Sequence, residues 1–133
     1  MEIVLHQNLK YAYLGDAYYE VSVRKYLNKK YPSYSMDKLH KENTLFSCCG
    51  MQSAIIKRMQ DENFLNEEEL EIFKLARNEK TSSHPKNFTV NEYRNATGFE
   101  AVIGYLTVNE NYKRADEIIE KAISIAEKLN NEK

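Results

Sequence analysis

Two acidic residues stand out by the company they keep. In YAYLGDAYYE, residues 11–20, Asp16 follows Gly15 and is bracketed by apolar side chains. In TGFEAVIGYL, residues 97–106, Glu100 is embedded in the same way, with Gly98, Ala101 and Gly104 around it. Both stretches read as helix, where a glycine costs about 1 kcal/mol relative to alanine and an unpaired buried acid is expensive. Small residues let helix backbones approach closely, so if these two faces meet, Asp16 and Glu100 converge. Two carboxylates about 4 Å apart repel by roughly 4 kcal/mol at an effective dielectric of 20. A divalent cation removes that cost. Mg²⁺ takes oxygen ligands in octahedral geometry, keeps several waters, and often uses only one or two carboxylates plus a substrate phosphate. On this reading Gly15 is present because a side chain there would crowd a partner or substrate backbone. The plainer alternative is that each acid pairs with a Lys or Arg, as half-buried helix acids commonly do.

The elements that must position these residues are helices. Four glycines, two prolines and no sustained apolar/polar alternation give an all-α chain. Residues 8–30 form a long amphipathic helix with Leu9, Ala12, Tyr13, Ala17, Val21 and Tyr26 at three- and four-residue steps, closed before Pro32. Ser35 is a good N-cap for a second helix, MDKLHKENTLF. A third runs from about Cys49 to Asp61, either continuous with the second or bent near Gly50. Asn66 with Glu69 opens a fourth, EEELEIFKLARNEK, and Thr89 with Glu92 opens a fifth through about Thr107. Between them SSHPKNF, residues 82–88, reads as a loop. A last helix covers about 112–129, and the residues after it are expected to fray.

Composition bounds the class. With 133 residues, 42% apolar and 29% charged, the chain reads as one globular domain spanning 1–133. It has no apolar run of the roughly 18 residues that cross a bilayer, and MEIVLHQNLK lacks the order of a signal peptide. Cys48 and Cys49 are adjacent, a poor arrangement for a disulfide or a zinc site, and read as reduced thiols of a cytoplasmic protein. The net charge of −1 hides segregation: residues 1–60 carry +4, residues 61–73 carry −6, and residues 74–94 carry +3. One basic face could meet a polyanion; the acidic stretch reads as a solvent face. Solvated helix faces alone would give the same pattern.

The order of the motifs is more specific than either acid alone. YAYLGDAYYEVSVRKYL (11–27), DKLHK (37–41) and ARNEKTSSHPKNFTVNEYRNATGFEAVIGYL (76–106) resemble the ribonuclease III catalytic domain. The match is nearer to its small bacterial branch, the Mini-ribonuclease III family, which lacks the appended double-stranded-RNA-binding domain. The resemblance implies an all-helical homodimeric endoribonuclease that cleaves double-stranded RNA with Mg²⁺ and matures the ends of large-subunit (23S) ribosomal RNA precursor. It implies neither a membrane nor a nucleotide cofactor. The family's catalytic, metal-binding acids fall on Asp16 and Glu100. Larger relatives carry two more acids, where this chain has Ala12 and Thr97; the mini branch looks similar in lacking both. An aromatic at the family's dimer contact falls on Tyr13.

An RNA surface needs cations and hydrogen-bond donors for phosphates and 2′-hydroxyls. Arg77, Asn78, Lys80, Lys86, Asn87 and Arg94 flank the SSHPKNF loop ahead of Glu100 and are the expected contacts, with Ser82 and Ser83 as further donors. For the loop the plain alternative is a solvated connector, and for Arg94 an intramolecular ion pair. Lys38, His40 and Lys41 form a second, weaker patch. His6, His40 and His84 make no ligand cluster with the acids in sequence. Glu20 lies four residues after Asp16 and four before Arg24, so it either supports the site or forms a helix salt bridge. Ten tyrosines without tryptophan fit packing better than base stacking. Two other classes stay open: an inactive double-stranded-RNA-binding module with the same fold, kept alive by Ala12 and Thr97, and a helical protein-interaction domain.

Overall fold

In a computed structural model of the chain, which describes residues 7–79 and 86–132, six helices carry the fold. They are α1 (Gln7–Lys30), α2 (Met36–Ser47), α3 (Cys49–Asp61), α4 (Glu67–Arg77), α5 (Val90–Val108) and α6 (Tyr112–Asn131). No strand occurs among the described residues, and none of the helices there is long and apolar enough to cross a membrane. The expected caps are in place. Ser35 accepts from the Lys38 backbone N–H, and both Asn66/Glu69 and Thr89/Glu92 form complete capping boxes.

α5 is the axle. From Ala96 to Thr107 it is buried on nearly every side, as a helix apolar all round must be. It packs chiefly against α1, α4 and α3. Its contact with α1 is backbone on backbone. A Cβ added to Gly15 would sit 1.7 Å from the Glu100 carbonyl oxygen, and one added to Gly104 would sit 1.7 Å from that of Tyr11. The neighbour that excludes a side chain at Gly15 is therefore α5 of the same chain, and not a substrate backbone. Gly98 does the same for α4, whose Phe73 ring would lie 2.6 Å from its Cβ.

α1 turned its core stripe differently from the sequence expectation. Ala12, Gly15, Tyr19, Val23 and Leu27 are buried. Tyr13, Ala17 and Val21 face outward, Tyr13 being 85% exposed. The helix is apolar on two faces, and a three/four spacing alone does not say which one meets the core. Tyr19 is fully buried, edge-on to Phe99 at 5.3 Å, with its hydroxyl donating to the Phe46 carbonyl.

That hydroxyl belongs to a set. α2 and α3 are separated at Cys48, whose extended backbone ends the helix, rather than bent near Gly50. Helices leave their last four carbonyls without partners, and here each of α2's is met: Thr44 by the Cys48 N–H, Leu45 by Asn130 Nδ2, Phe46 by Tyr19 Oη, and Ser47 by Gln52 Nε2. Asn130 thus anchors the C-terminal turn, and α6 stays helical to Asn131 where fraying was expected. The acidic segment is also not wholly a solvent face. Glu69 is 1% exposed and pairs with Arg114 at 2.9 Å, while Arg114 donates to the Phe64 carbonyl and lies over the Phe64 ring. A buried carboxylate is tolerable because the guanidinium and the capping box satisfy it.

The glycine contacts give a graded test. Gly15→Ala and Gly104→Ala should each lose about 3 kcal/mol or more in chemical denaturation, since backbone must move. Gly50→Ala meets only the Glu92 and Phe88 side chains at 3.2 Å and should stay within about 1 kcal/mol of the native protein. Equal losses at all three would remove the α1–α5 contact from its central role.

Candidate active site

The glycine seam decides where the acids go. Gly15 rests on the Glu100 carbonyl, so the next residue on α1, Asp16, brings its carboxyl to that of Glu100. The two are within hydrogen-bond reach. Asp16 is exposed and Glu100 half-buried. Burial pushes the Glu100 carboxyl up from an ordinary 4.5 to about 9, and the hydrogen bond and negative charge of Asp16 push the same way, with Glu20 adding a smaller charge effect. Only Gln52 opposes, by donating to the carboxylate. Its Nε2 lies 3.3 Å from Glu100 Oε2.

Around this pair the chain offers oxygen and amide, not imidazole. Glu20 pairs with Arg24 at 3.1 Å and accepts from Asn43 Nδ2 at 3.0 and 3.3 Å. The expected salt bridge is present, and Glu20 is also tied to α2. Ala12 is buried against Ala76 and Ala101, and the Thr97 hydroxyl donates to the Tyr93 carbonyl at 3.0 Å, so neither position turns an oxygen toward the acids. Among the described residues no group of three or more His, Cys, Asp or Glu is arranged to hold a metal ion. His40 is exposed beside a cavity of about 490 Å³ between α1 and α2, lined also by Arg24, Asp37 and Asn43. Cys48 and Cys49 are free thiols; burial, then the Glu100 charge, pushes Cys49 up.

The donor set fits a hard divalent cation. Two adjacent carboxyls, one of them desolvated, cannot both ionise cheaply without a positive charge. Two carboxylates with waters and substrate phosphate suffice for Mg²⁺.

The expected RNA contacts divide. Lys86 and Asn87 are exposed in the turn before α5. Arg77 is half-buried, its Nε donating to Asn95 Oδ1 at 2.8 Å and its Nη1 to Asn78 Oδ1 at 3.3 Å, while Asn95 in turn donates to Ser53. Arg77 and Asn78 are therefore partly engaged within the protein. Arg94 is half-buried with Nε lacking a hydrogen-bond partner, and among the described residues it makes no ion pair. Lys80, Ser82, Ser83 and His84 lie outside the described residues, as does His6. Gln52 escaped the sequence reading. Its signal was there: a polar side chain in the helical stripe that continues with Ile55, Ile56 and Met59.

Comparison with known proteins supplies the context. Residues 9–111 match the Ribonuclease III domain family. The chain is 41% identical to a Mini-ribonuclease 3 of Clostridium tetani over 87% of its own length and 76% of the relative's. With the Mini-ribonuclease 3 of Streptococcus pneumoniae it shares 35% identity, over 96% and 98% of the two chains. A crystal structure of a Fusobacterium nucleatum protein superposes with a TM-score of 0.78 at 34% identity, covering 90% of this chain and 93% of that one.

The Glu100 shift has a signed consequence. Between pH 4.5 and about 9 the folded protein keeps a proton that the unfolded chain has released. Stability in chelator is therefore lost as pH rises through that window. Glu100→Gln removes this loss. It should raise the melting temperature at pH 8 by about 4 °C or more, with the gap closing toward pH 4.5. A difference that does not vary with pH would show that Glu100 is not the strained acid.

Proposed function

The chain belongs to the Ribonuclease III domain family and is an endoribonuclease, and from that premise we propose that it hydrolyses double-stranded RNA with Mg²⁺ held by Asp16 and Glu100. The observation that carries this reading is the adjacent carboxyl pair at the α1–α5 seam, whose half-buried member is destabilised as an anion by its own surroundings. When bound, the cation would supply neutralising charge to the phosphate oxygens and make water a better nucleophile by lowering its pKa. The chain's own part is to hold the two acids adjacent at the seam, and to hold the duplex. Nothing comes from positions 12 and 97, so the protein's ligand set is the acid pair alone.

The substrate in this reading is the base-paired stem of 23S ribosomal RNA precursor, and the setting is the cytoplasm. Lys86 and Asn87, in the turn before α5, and Arg94, near the start of α5, are the contacts least committed to the protein itself; Arg77, Asn78 and Lys80 complete the surface. The protein acts as a homodimer. Tyr13 with Leu14 and Val21 gives α1 an outward apolar face that a lone protomer leaves wet.

Cleavage of a long RNA duplex should require Mg²⁺ and stop with chelator. Asp16→Asn and Glu100→Gln should each lower the rate by at least roughly a thousandfold, about 4 kcal/mol of barrier, with duplex binding retained. Near-native cleavage by either variant would refute the site assignment. On a precursor stem the cuts should fall at the mature 23S ends.

Lys86→Ala combined with Arg94→Ala should weaken duplex binding and shallow the log–log salt dependence by about 1 per lost phosphate contact. An unchanged slope would take these residues off the RNA surface.

A further inference from the structure

Gln52 is 1% exposed, one of the few polar side chains buried among the described residues, with Asn43, Glu69, Thr97 and Thr107. Its amide nitrogen donates twice, to the Ser47 carbonyl at 3.0 Å and to Glu100 Oε2 at 3.3 Å. Both amide protons are thereby used. Both partners are acceptors, which fixes the amide's orientation, because the flipped rotamer would set its oxygen against two others. The oxygen Oε1 is buried and has no hydrogen-bond partner. A core amide that spends all its donors and leaves its acceptor unpaired is retained for its donors.

Local structure serves the same end. The chain leaves helical geometry at Cys48, and this break frees the Ser47 carbonyl from the helical ladder to accept the amide. Asn43 repeats the device one layer away. Its Nδ2 is given to Glu20 and to Ser47 Oγ, and its Oδ1 is likewise buried without a partner. Each acid behind the seam thus has its own amide: Asn43 holds Glu20, and Gln52 holds Glu100. Of the groups facing Glu100, Asp16 and Glu20 are acids and Cys49 a thiol.

We infer that Gln52 is a positioning residue for the cation site: clamped by the Ser47 carbonyl, it fixes the Glu100 carboxylate in the orientation that receives the ion. The inference rests on the reading of Asp16 and Glu100 as the ion's ligands. A merely structural Gln52 would cap Ser47 and matter only for stability. Partners behind a ligand typically change metal affinity or activity by about 10–100-fold when removed.

The test uses Mn²⁺, followed by electron paramagnetic resonance in the protein without RNA, and Gln52→Met, which keeps length and volume but donates nothing. Mn²⁺ affinity should fall about 10–100-fold. The kcat for duplex cleavage at fixed Mg²⁺ should fall with it, while KM for the duplex stays within about twofold. Unchanged Mn²⁺ affinity in the folded variant overturns the inference. A second measurement needs no variant: in the native protein the Gln52 side-chain amide resonance should shift on adding Mg²⁺, and a resonance that does not move also overturns it. Asp16→Asn separates the layers. If that variant loses Mn²⁺ and Gln52→Met does not, the role of Gln52 fails alone; if Asp16→Asn binds Mn²⁺ as the native protein does, the acid-pair reading fails and takes the inference with it.

Discussion

The contact on which the rest depends is the bare crossing of α1 and α5. At Gly15 and Gly104 the two helices touch through peptide groups, with a carbonyl oxygen where a Cβ would otherwise be. Glycine in a helix costs about 1 kcal/mol, and the chain accepts that cost twice at one crossing. In return the two axes come close enough for residues one step off the contact to meet. Asp16 is the next residue along α1, and Glu100 supplies the carbonyl on which Gly15 rests. With any larger residue at the crossing, the carboxyls would be held apart by the packing itself.

This proximity is electrostatically adverse, and the surrounding structure is organised to contain it. One acid is left toward water and the other is drawn into the protein, where burial and its neighbour hold it well above the usual carboxylate range. No lysine or arginine of the described chain pairs with Glu100. A fixed cation there would relieve the repulsion permanently. A neutral amide, that of Gln52, answers Glu100 instead. Where the fold wants a carboxylate for structure alone, it uses the other solution: Glu69, more deeply buried than Glu100, has an arginine and a capping box. The contrast between these two glutamates separates an acid paired with a cation inside the fold from an acid left without one.

The same helices serve several roles at once. α1 gives one face to the core and presents a second apolar face, with Tyr13 and Val21, to the outside. The end of α2 is tied by side chains from α1, α3 and α6, so the break before α3 is over-determined. A rigid break matters because its last carbonyl holds Gln52.

Local chemistry was legible in the sequence wherever the interaction spans three or four residues. The helices, the Ser35 cap, the two capping boxes and the Glu20–Arg24 pair follow from spacing, because a helix brings such neighbours together whatever surrounds it. The company of small residues around Asp16 and Glu100 marked them as a pair, and the order of motifs marked the family. Only the tertiary structure decided which of α1's two apolar faces is inner, what Gly15 touches, that Glu69 is buried, and that Gln52 reaches Glu100. Those contacts join residues from 45 to 89 positions apart or depend on which way a helix is rolled. Side-chain periodicity carries no information about either, since the roll and the partners of a helix are set by everything packed against it.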